Sequence, residues 1–424
     1  MNRPSRSSGW RQCLAWRPGG FARGSLHLLY WLLARAAMQV VLVIALARGL
    51  GARQYGEFVA AVAIATFVTP LAGAGLHAVL LRDGARQPHH LSTLVGDALR
   101  IWSLGFVVAW ICGIVAAWLL LPPANSLAAI TLLVGGEIAA GSLIELFGRF
   151  FQARQKAPVA GALQAGLALS RLAGLGLLML FGPLTVAAWM VTYFGVSVAY
   201  TLGVFIAVDG PRLLRAARPG VAWGLAREGA VFAGGAFAFR IQIEVNKPIL
   251  AQLGYALAAN FNAAQRAMDI ASLPLVALQE NLWPRVYSSA EPRRELRRIG
   301  TAVLLLALAG GVVLTLVSGL LPRVLGPGFA DTSRTLMFLA WLPALQSLRN
   351  IGNTALVAAG ESRHMVWVYI VGATSSISFN LLMIPAFGLS GAAAAAYGAE
   401  LATVAAQWML HRMRAGSPRS MRDA

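Results

Sequence analysis

Apolar runs of about 20 residues, the length that crosses a bilayer's hydrocarbon core, recur along this chain a dozen times with short Pro, Gly or Arg punctuation between them. They fall near 26–47, 57–80, 96–121, 126–148, 158–181, 184–207, 228–251, 256–283, 299–321, 331–359, 364–385 and 388–411. The pattern predicts an all-α polytopic membrane protein with about 12 transmembrane helices. Pro70 and Pro343 interrupt two of the runs. Asn246-Lys247-Pro248, Leu273-Pro274 and Leu342-Pro343 mark places where proline frees a carbonyl and lets a helix bend.

Polar residues inside the runs carry more information than the runs themselves. Between Phe239 and Asp269, Arg240, Glu244 and Lys247 sit at i, i+4 and i+7, so they share one helix face, and Asn262, Arg266 and Asp269 repeat that spacing on the next run. An ionisable group in a spanning helix costs a few kcal/mol unless it faces a cavity or a partner. Arg240 and Arg266 each lie roughly 15 Å from the outer helix ends near Gly254, close to the midplane, and Arg35 reaches similar depth in the first run. Two readings fit. Arg240 with Glu244 and Arg266 with Asp269 can be neutral pairs at helical spacing, kept for packing. Alternatively the cations line a hydrated cavity that receives an anionic group, which Arg binds by bidentate hydrogen bonds. With Glu244 assigned to Arg240, Arg35 and Lys247 have no obvious local acid, which favours the cavity.

Composition narrows the class. With 58% hydrophobic and 12% charged residues the chain is far from a soluble domain. The net charge of +19 raises the question of a nucleic-acid partner, and the placement of the basic residues answers it. With the N-terminus taken as cytoplasmic, 25 of the 35 Lys and Arg fall in the seven inside segments, while only Arg48, Arg53, Arg323 and Arg334 fall outside. That is the positive-inside bias of a membrane protein, so both termini are expected in the cytoplasm and no nucleic acid is implied. The Arg-rich N-terminus leads into a full-length span, so it is expected to be a retained tail and not a cleaved signal.

An internal repeat orders the spans. Laying Leu50-Gly51 on Leu253-Gly254 brings Phe58 onto Phe261, Ala60-Ala61 onto Ala263-Ala264 and Arg82 onto Arg285, and later matches keep the offset at 203 to 206 residues. The expected layout is a basic tail at 1–25, a lobe of six helices at 26–208, a cytoplasmic linker at 209–227, a second six-helix lobe at 228–411 and a tail at 412–424. Two pseudo-symmetric lobes of this kind flank a central cavity.

Candidate chemistry is limited to binding and ion coupling. A proton- or sodium-coupled transporter needs a carboxylate inside the membrane; Glu145, Glu244 and Asp269 are the candidates, each with a structural salt bridge as the alternative role. Cys13 and Cys112 provide neither a disulfide framework nor a metal cluster, and His77, His89 and His90 are not grouped with acids as metal ligands are. No cofactor-binding or catalytic motif appears, and no loop on the outer side exceeds about a dozen residues, so no enzymatic platform is expected.

Three stretches bring in a known family. Leu46 to Phe58, LARGLGARQYGEF, resembles the AR-LG-x-x-x-YG-x-F signature of bacterial polysaccharide exporters in the multidrug/oligosaccharidyl-lipid/polysaccharide (MOP) flippase superfamily. LGPGF at 325–329 with AGESR at 359–363, and IPAFGLSGAA at 384–393, are similar to that superfamily's later motifs. The resemblance implies a flippase without covalent chemistry. It would move a polyprenyl-diphosphate-linked oligosaccharide across the bacterial cytoplasmic membrane by alternating access, for O-antigen or exopolysaccharide synthesis. Its partners would be that glycan lipid, membrane lipids and other polysaccharide-assembly proteins. It further implies that cations on the first, seventh and eighth helices hold the diphosphate; by helix and depth these are Arg35, Arg240, Lys247 and Arg266. An ion-coupled antiporter of drugs or small metabolites with the same fold, and a membrane enzyme of polysaccharide assembly, are the competing expectations.

Overall fold

The computed structural model describes residues 20–123, 126–217, 222–276, 278–279, 291–358 and 364–415. The basic tail up to residue 19, with Cys13, lies outside them, as do Glu280, Arg285 and the 359–363 motif. The described chain is helical throughout: α1 Gly20–Ala72, α2 Leu76–Arg86, α3 Leu91–Leu120, α4 Leu127–Ala153, α5 Ala157–Phe181, α6 Val186–Ala207 and α7 Gly210–Arg215 in the first half. The second half holds α8 Ala222–Glu244, α9 Asn246–Leu253, α10 Tyr255–Ala271, α11 Pro292–Val317, α12 Leu321–Leu325, α13 Asp331–Leu339, α14 Leu342–Ala358 and α15 His364–Ala415. This is a polytopic all-α membrane fold.

Seven described helices are long and apolar enough to span a bilayer. Two of them are too long for a single crossing: Leu29–Ala72 as a straight helix would measure about 66 Å, over twice the hydrocarbon thickness. Gly51 (φ 70°, ψ 170°) breaks α1, and Gly388 (φ 56°, ψ −126°) breaks α15, so each supplies two of the expected runs. The remaining expected runs are those whose charges and breaks lower their hydropathy. The 228–251 run ends α8 at Glu244 and restarts as α9 at Asn246, because Pro248 lacks the N–H that would bond the Glu244 carbonyl. The 331–359 run divides into α13 and α14 just before Pro343, and the 57–80 run is interrupted at Gly73–Gly75.

Gly254 (φ 153°, ψ 134°), 203 positions after Gly51, turns the chain between α9 and α10. Only glycine takes such backbone without strain. At this end of the molecule the two halves share one core: Tyr55, Phe58, Ala60, Ala61 and Trp189 pack in the same cluster as Ala258, Phe261, Ala263, Ala264 and Phe329. The two alanine pairs, aligned by the repeat, are 0–4% exposed and let the helices approach closely. Away from this end the cores separate. Leu76, Val95, Phe147 and Leu213 pack within the first half, and Ile299, Val303 and Ala344 pack within the second. The described halves therefore form a V of cores, joined at the Gly51/Gly254 end and parted towards the other, where Leu225 of α8 still packs against the first-half cluster.

Hydrogen bonds follow the same division. At the joined end Arg48 donates to the carbonyls of Val324 (2.7 Å) and Arg323 (3.2 Å), Gln252 to Leu120 O (2.6 Å), Tyr255 to Pro122 O (3.0 Å) and Asn262 to the Tyr55 hydroxyl (2.9 Å). At the parted end a smaller contact links α2 to α8. Arg82 bridges to Glu228 at 2.7 Å, and Gly75 and Gly229 pack so closely that a Cβ on either would strike the other helix's backbone.

Candidate functional site: a cluster of cations between the halves

Six helices from both halves bring charge into the space between them. Arg35, on the first arm of α1, is half-buried and donates from Nη1 to Gln164 Oε1 on α5. One side of this contact is charged and the other neutral. Seven residues along α5, on the same face, Arg171 bonds Glu137 Oε2 of α4 at 2.6 Å and Ser197 Oγ of α6 at 3.0 Å, and lies 4.2 Å over the Tyr193 ring. Tyr193 donates to the same Glu137 oxygen at 2.5 Å. This network pins the Arg171 guanidinium and satisfies the carboxylate from two directions.

The second half contributes Arg240 on α8, Lys247 on α9 and Arg266 on α10. Arg240 is exposed and has no acid within ion-pair distance among the described residues. Arg266 lies 3.7 Å from Asp269. Their side chains are 44% and 45% exposed, so neither is sealed between helices. The Arg35 charge is within electrostatic reach of Arg171, Arg266, Glu137 and Arg240, and Arg266 in turn is in reach of Glu244, Asp269, Tyr55 and Glu137. Arg35, Arg240 and Arg266 therefore share one field although 231 positions separate the first from the last. With Arg171 and Lys247 the group holds five cations against three carboxylates, Glu137, Glu244 and Asp269, an excess of two positive charges.

One pairing differs from the expectation. Glu244 does not pair with Arg240; it takes Lys247, and both are almost fully buried at 7% and 2% side-chain exposure. The break after Glu244 re-aims the chain, so that the i, i+3 partner and not the i, i+4 partner meets the carboxylate. Lys247, expected to lack an acid and to face the cavity, is enclosed with one. Glu145 stands apart from the cluster, with Arg149 at 3.5 Å and His77 at 4.0 Å.

Two further charged features lie elsewhere. In the second half Arg349 Nε is 3.0 Å from Glu400 Oε2, both near 5% exposed, with the guanidinium 4.8 Å over the Phe239 ring. Nearby, a cavity of about 30 Å³ is lined by Gln242, Asn246, Gln265, Gln346 and Glu400, with room for a water and none for a lipid headgroup. At the parted end, outside the spans, the Arg82 guanidinium is held above its ordinary pKa by the hydrogen bonds it donates to Asp83 and Glu228, and Asp83 is held below the usual carboxylate range by Arg82. Both stay charged across the neutral range. Among the described residues no group of His, Cys, Asp and Glu could hold a metal ion.

The comparisons with known proteins agree with this architecture. Residues 21–272, more than half of the chain, match the family described as polysaccharide biosynthesis protein. The chain belongs to that family. No curated protein matches it in sequence. Among solved structures the fold is similar to that of the lipid II flippase MurJ in an inward closed conformation: TM-score 0.70, 11% identity, 92% of this chain and 87% of that one. It is similar also to an inward-facing multidrug resistance MATE family transporter of the MOP superfamily: TM-score 0.70, 13% identity, 91% and 94% of the two chains. A mutant of the Vibrio cholerae MATE transporter VcmN matches at TM-score 0.63, 14% identity and 95% and 96% coverage. At these identities the likeness is one of fold.

In this polysaccharide biosynthesis protein the family match covers the whole first half and continues through Arg240, Lys247, Arg266 and Asp269. Sequence reading placed Arg35, Arg240 and Arg266 at a common depth, and the structure brings them into one field. It did not single out Gln164, Glu137, Tyr193 or Arg171 as site residues. The i, i+7 spacing of Gln164 and Arg171 was available as a signal on α5. Glu137 and Tyr193 arrive from α4 and α6, and no local spacing reveals them.

Proposed function

We propose that this protein is a flippase that carries a polyprenyl-diphosphate-linked oligosaccharide from the inner to the outer leaflet of the bacterial cytoplasmic membrane, for cell-surface polysaccharide synthesis. The observation that carries this reading is the excess of two positive charges between the halves. A diphosphate diester bears about two negative charges, and moving charge through hydrocarbon costs several kcal/mol or more. A hydrated cleft that supplies matching guanidinium groups removes most of that barrier while the polyprenyl tail stays in lipid. Arg35, Arg240 and Arg266 are assigned to the diphosphate. Lys247, enclosed with Glu244, acts on it through the field alone. Glu145, Glu244 and Asp269 remain candidates for ion coupling, with Asp269, at 45% exposure beside Arg266, the best placed.

The two six-helix lobes, 26–208 and 228–411, rock about the joined end, with both termini and the Arg82–Glu228 contact on the cytoplasmic side. The V of separate cores then faces the cytoplasm, where glycan lipids are assembled, and the α2–α8 contact closes that side until the lobes rock apart. Lipids and other polysaccharide-assembly proteins are the remaining partners. A carrier of cationic drugs would need the opposite sign of charge in the cleft.

Arg240→Ala and Arg266→Ala, expressed at wild-type level, are each expected to lower delivery of the lipid-linked glycan to the outer leaflet at least about tenfold, as loss of a charge-assisted contact implies. The measurement is leaflet accessibility of the glycan in cells or proteoliposomes. Wild-type delivery by both variants would remove the cation cluster as the site.

A further inference from the structure

We propose that Gln164 is a positioning residue: it holds the Arg35 guanidinium in the cleft while leaving its charge uncompensated. The inference rests on the flippase reading for the ligand, and on the Arg35–Gln164 contact for the geometry. Within the cluster Arg171, Lys247 and Arg266 each have a carboxylate within 4 Å. Arg35 is anchored by an amide oxygen. That oxygen takes one of five guanidinium N–H donors and contributes no negative charge, so four donors and the full positive charge remain for an anion.

The anchor has a physical reason. Arg35 shares its surroundings with Arg171, Arg240 and Arg266, and like charges push a long flexible side chain away from the group. A carboxylate at position 164 would overcome the repulsion, but it would take Arg35 bidentately and cut the excess charge of the cleft from two to one. An amide of the same shape fixes the side chain and keeps the excess. Because α5 also carries Arg171 on the same face, the helix sets both first-half cations: one balanced by Glu137 and Tyr193, the other free to act.

The choice of residue thereby becomes a choice of ligand. A cleft with two excess charges favours a doubly charged headgroup; with one excess charge it loses that preference. Gln164→Glu in the full-length protein in nanodiscs is expected to weaken binding of undecaprenyl diphosphate about tenfold while changing binding of undecaprenyl monophosphate less than threefold. Gln164→Met, which keeps shape and charge but removes the acceptor, should weaken the diphosphate only a few-fold. In an Arg35→Ala background, Gln164→Glu should add no further selective loss. A second readout needs no lipid. Phenylglyoxal modification of Arg35, followed by peptide mass spectrometry, should slow at least threefold in Gln164→Glu and not in Gln164→Met. Unchanged selectivity together with unchanged Arg35 reactivity overturns the proposal, as does a selective loss that persists without Arg35. A wild-type protein that binds neither lipid overturns the flippase reading instead, and the phenylglyoxal rates then decide the Gln164 role by themselves. Thermal unfolding midpoints within a few degrees of wild type establish that each variant is folded.

Discussion

Transport is expected to stop completely, and to restart on reduction, when Arg82→Cys and Glu228→Cys are joined by a cleavable bis-methanethiosulfonate reagent in a protein whose Cys13 and Cys112 have been replaced by serine. Residues 82 and 228 meet across the parted end of the V, where α2 of the first half touches α8 of the second and the two cores have already separated. A carrier that presents its cleft to one side of the membrane and then to the other must change the spacing between its halves at both ends. The joined end rests on a continuous core; the parted end rests on the Arg82–Glu228 ion pair, the close approach of Gly75 to Gly229 and Ala233, and Leu225 of α8 packed against the first-half cluster. Side-chain exposures of 41% and 45% mean that the ion pair itself contributes little stability, on the order of 1 kcal/mol or less, so replacing it by cysteines should leave folding and basal transport near normal. The tether removes the freedom to open, whatever the energy of the native contact. Either cysteine alone, treated with the same reagent, should transport as before. Undiminished transport by the fully cross-linked protein would mean that this end does not move in the cycle.

The second large effect concerns stability. Arg349→Met should destabilise the protein by about 3–5 kcal/mol, because it leaves Glu400 in the interior with no opposite charge. Arg349 and Glu400 are both nearly sealed from solvent and meet at 3.0 Å. Adding Glu400→Leu to Arg349→Met should recover most of the loss, since a buried ion pair replaced as a whole by apolar side chains is often neutral or better. The thermal unfolding midpoint in a fixed detergent reads both results. Equal destabilisation by the single and the double variant would show that the two residues are not energetically coupled. Because this pair lies within the second half and neither member belongs to the cation cluster assigned to the diphosphate, transport per folded molecule should change far less than stability.

Much of the architecture could be read from hydropathy and spacing. The dozen apolar runs account for the described spans, and the repeat that aligned Gly51 with Gly254 picked out two turns that need left-handed backbone. Arg35, Arg240 and Arg266 could be grouped because depth along a helix is simple arithmetic. What stayed hidden depended on events that linear spacing does not encode. The break after Glu244 exchanged its partner from Arg240 to Lys247, and one proline was enough to do it. Glu137, Arg171 and Tyr193 assemble from three helices whose mutual rotation is set by packing, so neither their company nor the neutral anchor of Arg35 could be foreseen.

The chemistry of the joined end bears on how related sequences can diverge. Arg48, Gln252 and Tyr255 reach across to main-chain carbonyls of Val324, Arg323, Leu120 and Pro122. A carbonyl is present whatever side chain the acceptor position bears, so mutation can pass through 120, 122, 323 and 324 without disturbing those bonds, provided the donors stay. The Arg82–Glu228 contact is different, because both members are side chains. In a deep alignment of close relatives, positions 82 and 228 should therefore exchange charge together, whereas the donors at 48, 252 and 255 should hold steady beside partners that drift. The firmer of the two contacts between the halves would then be the one that leaves no paired trace.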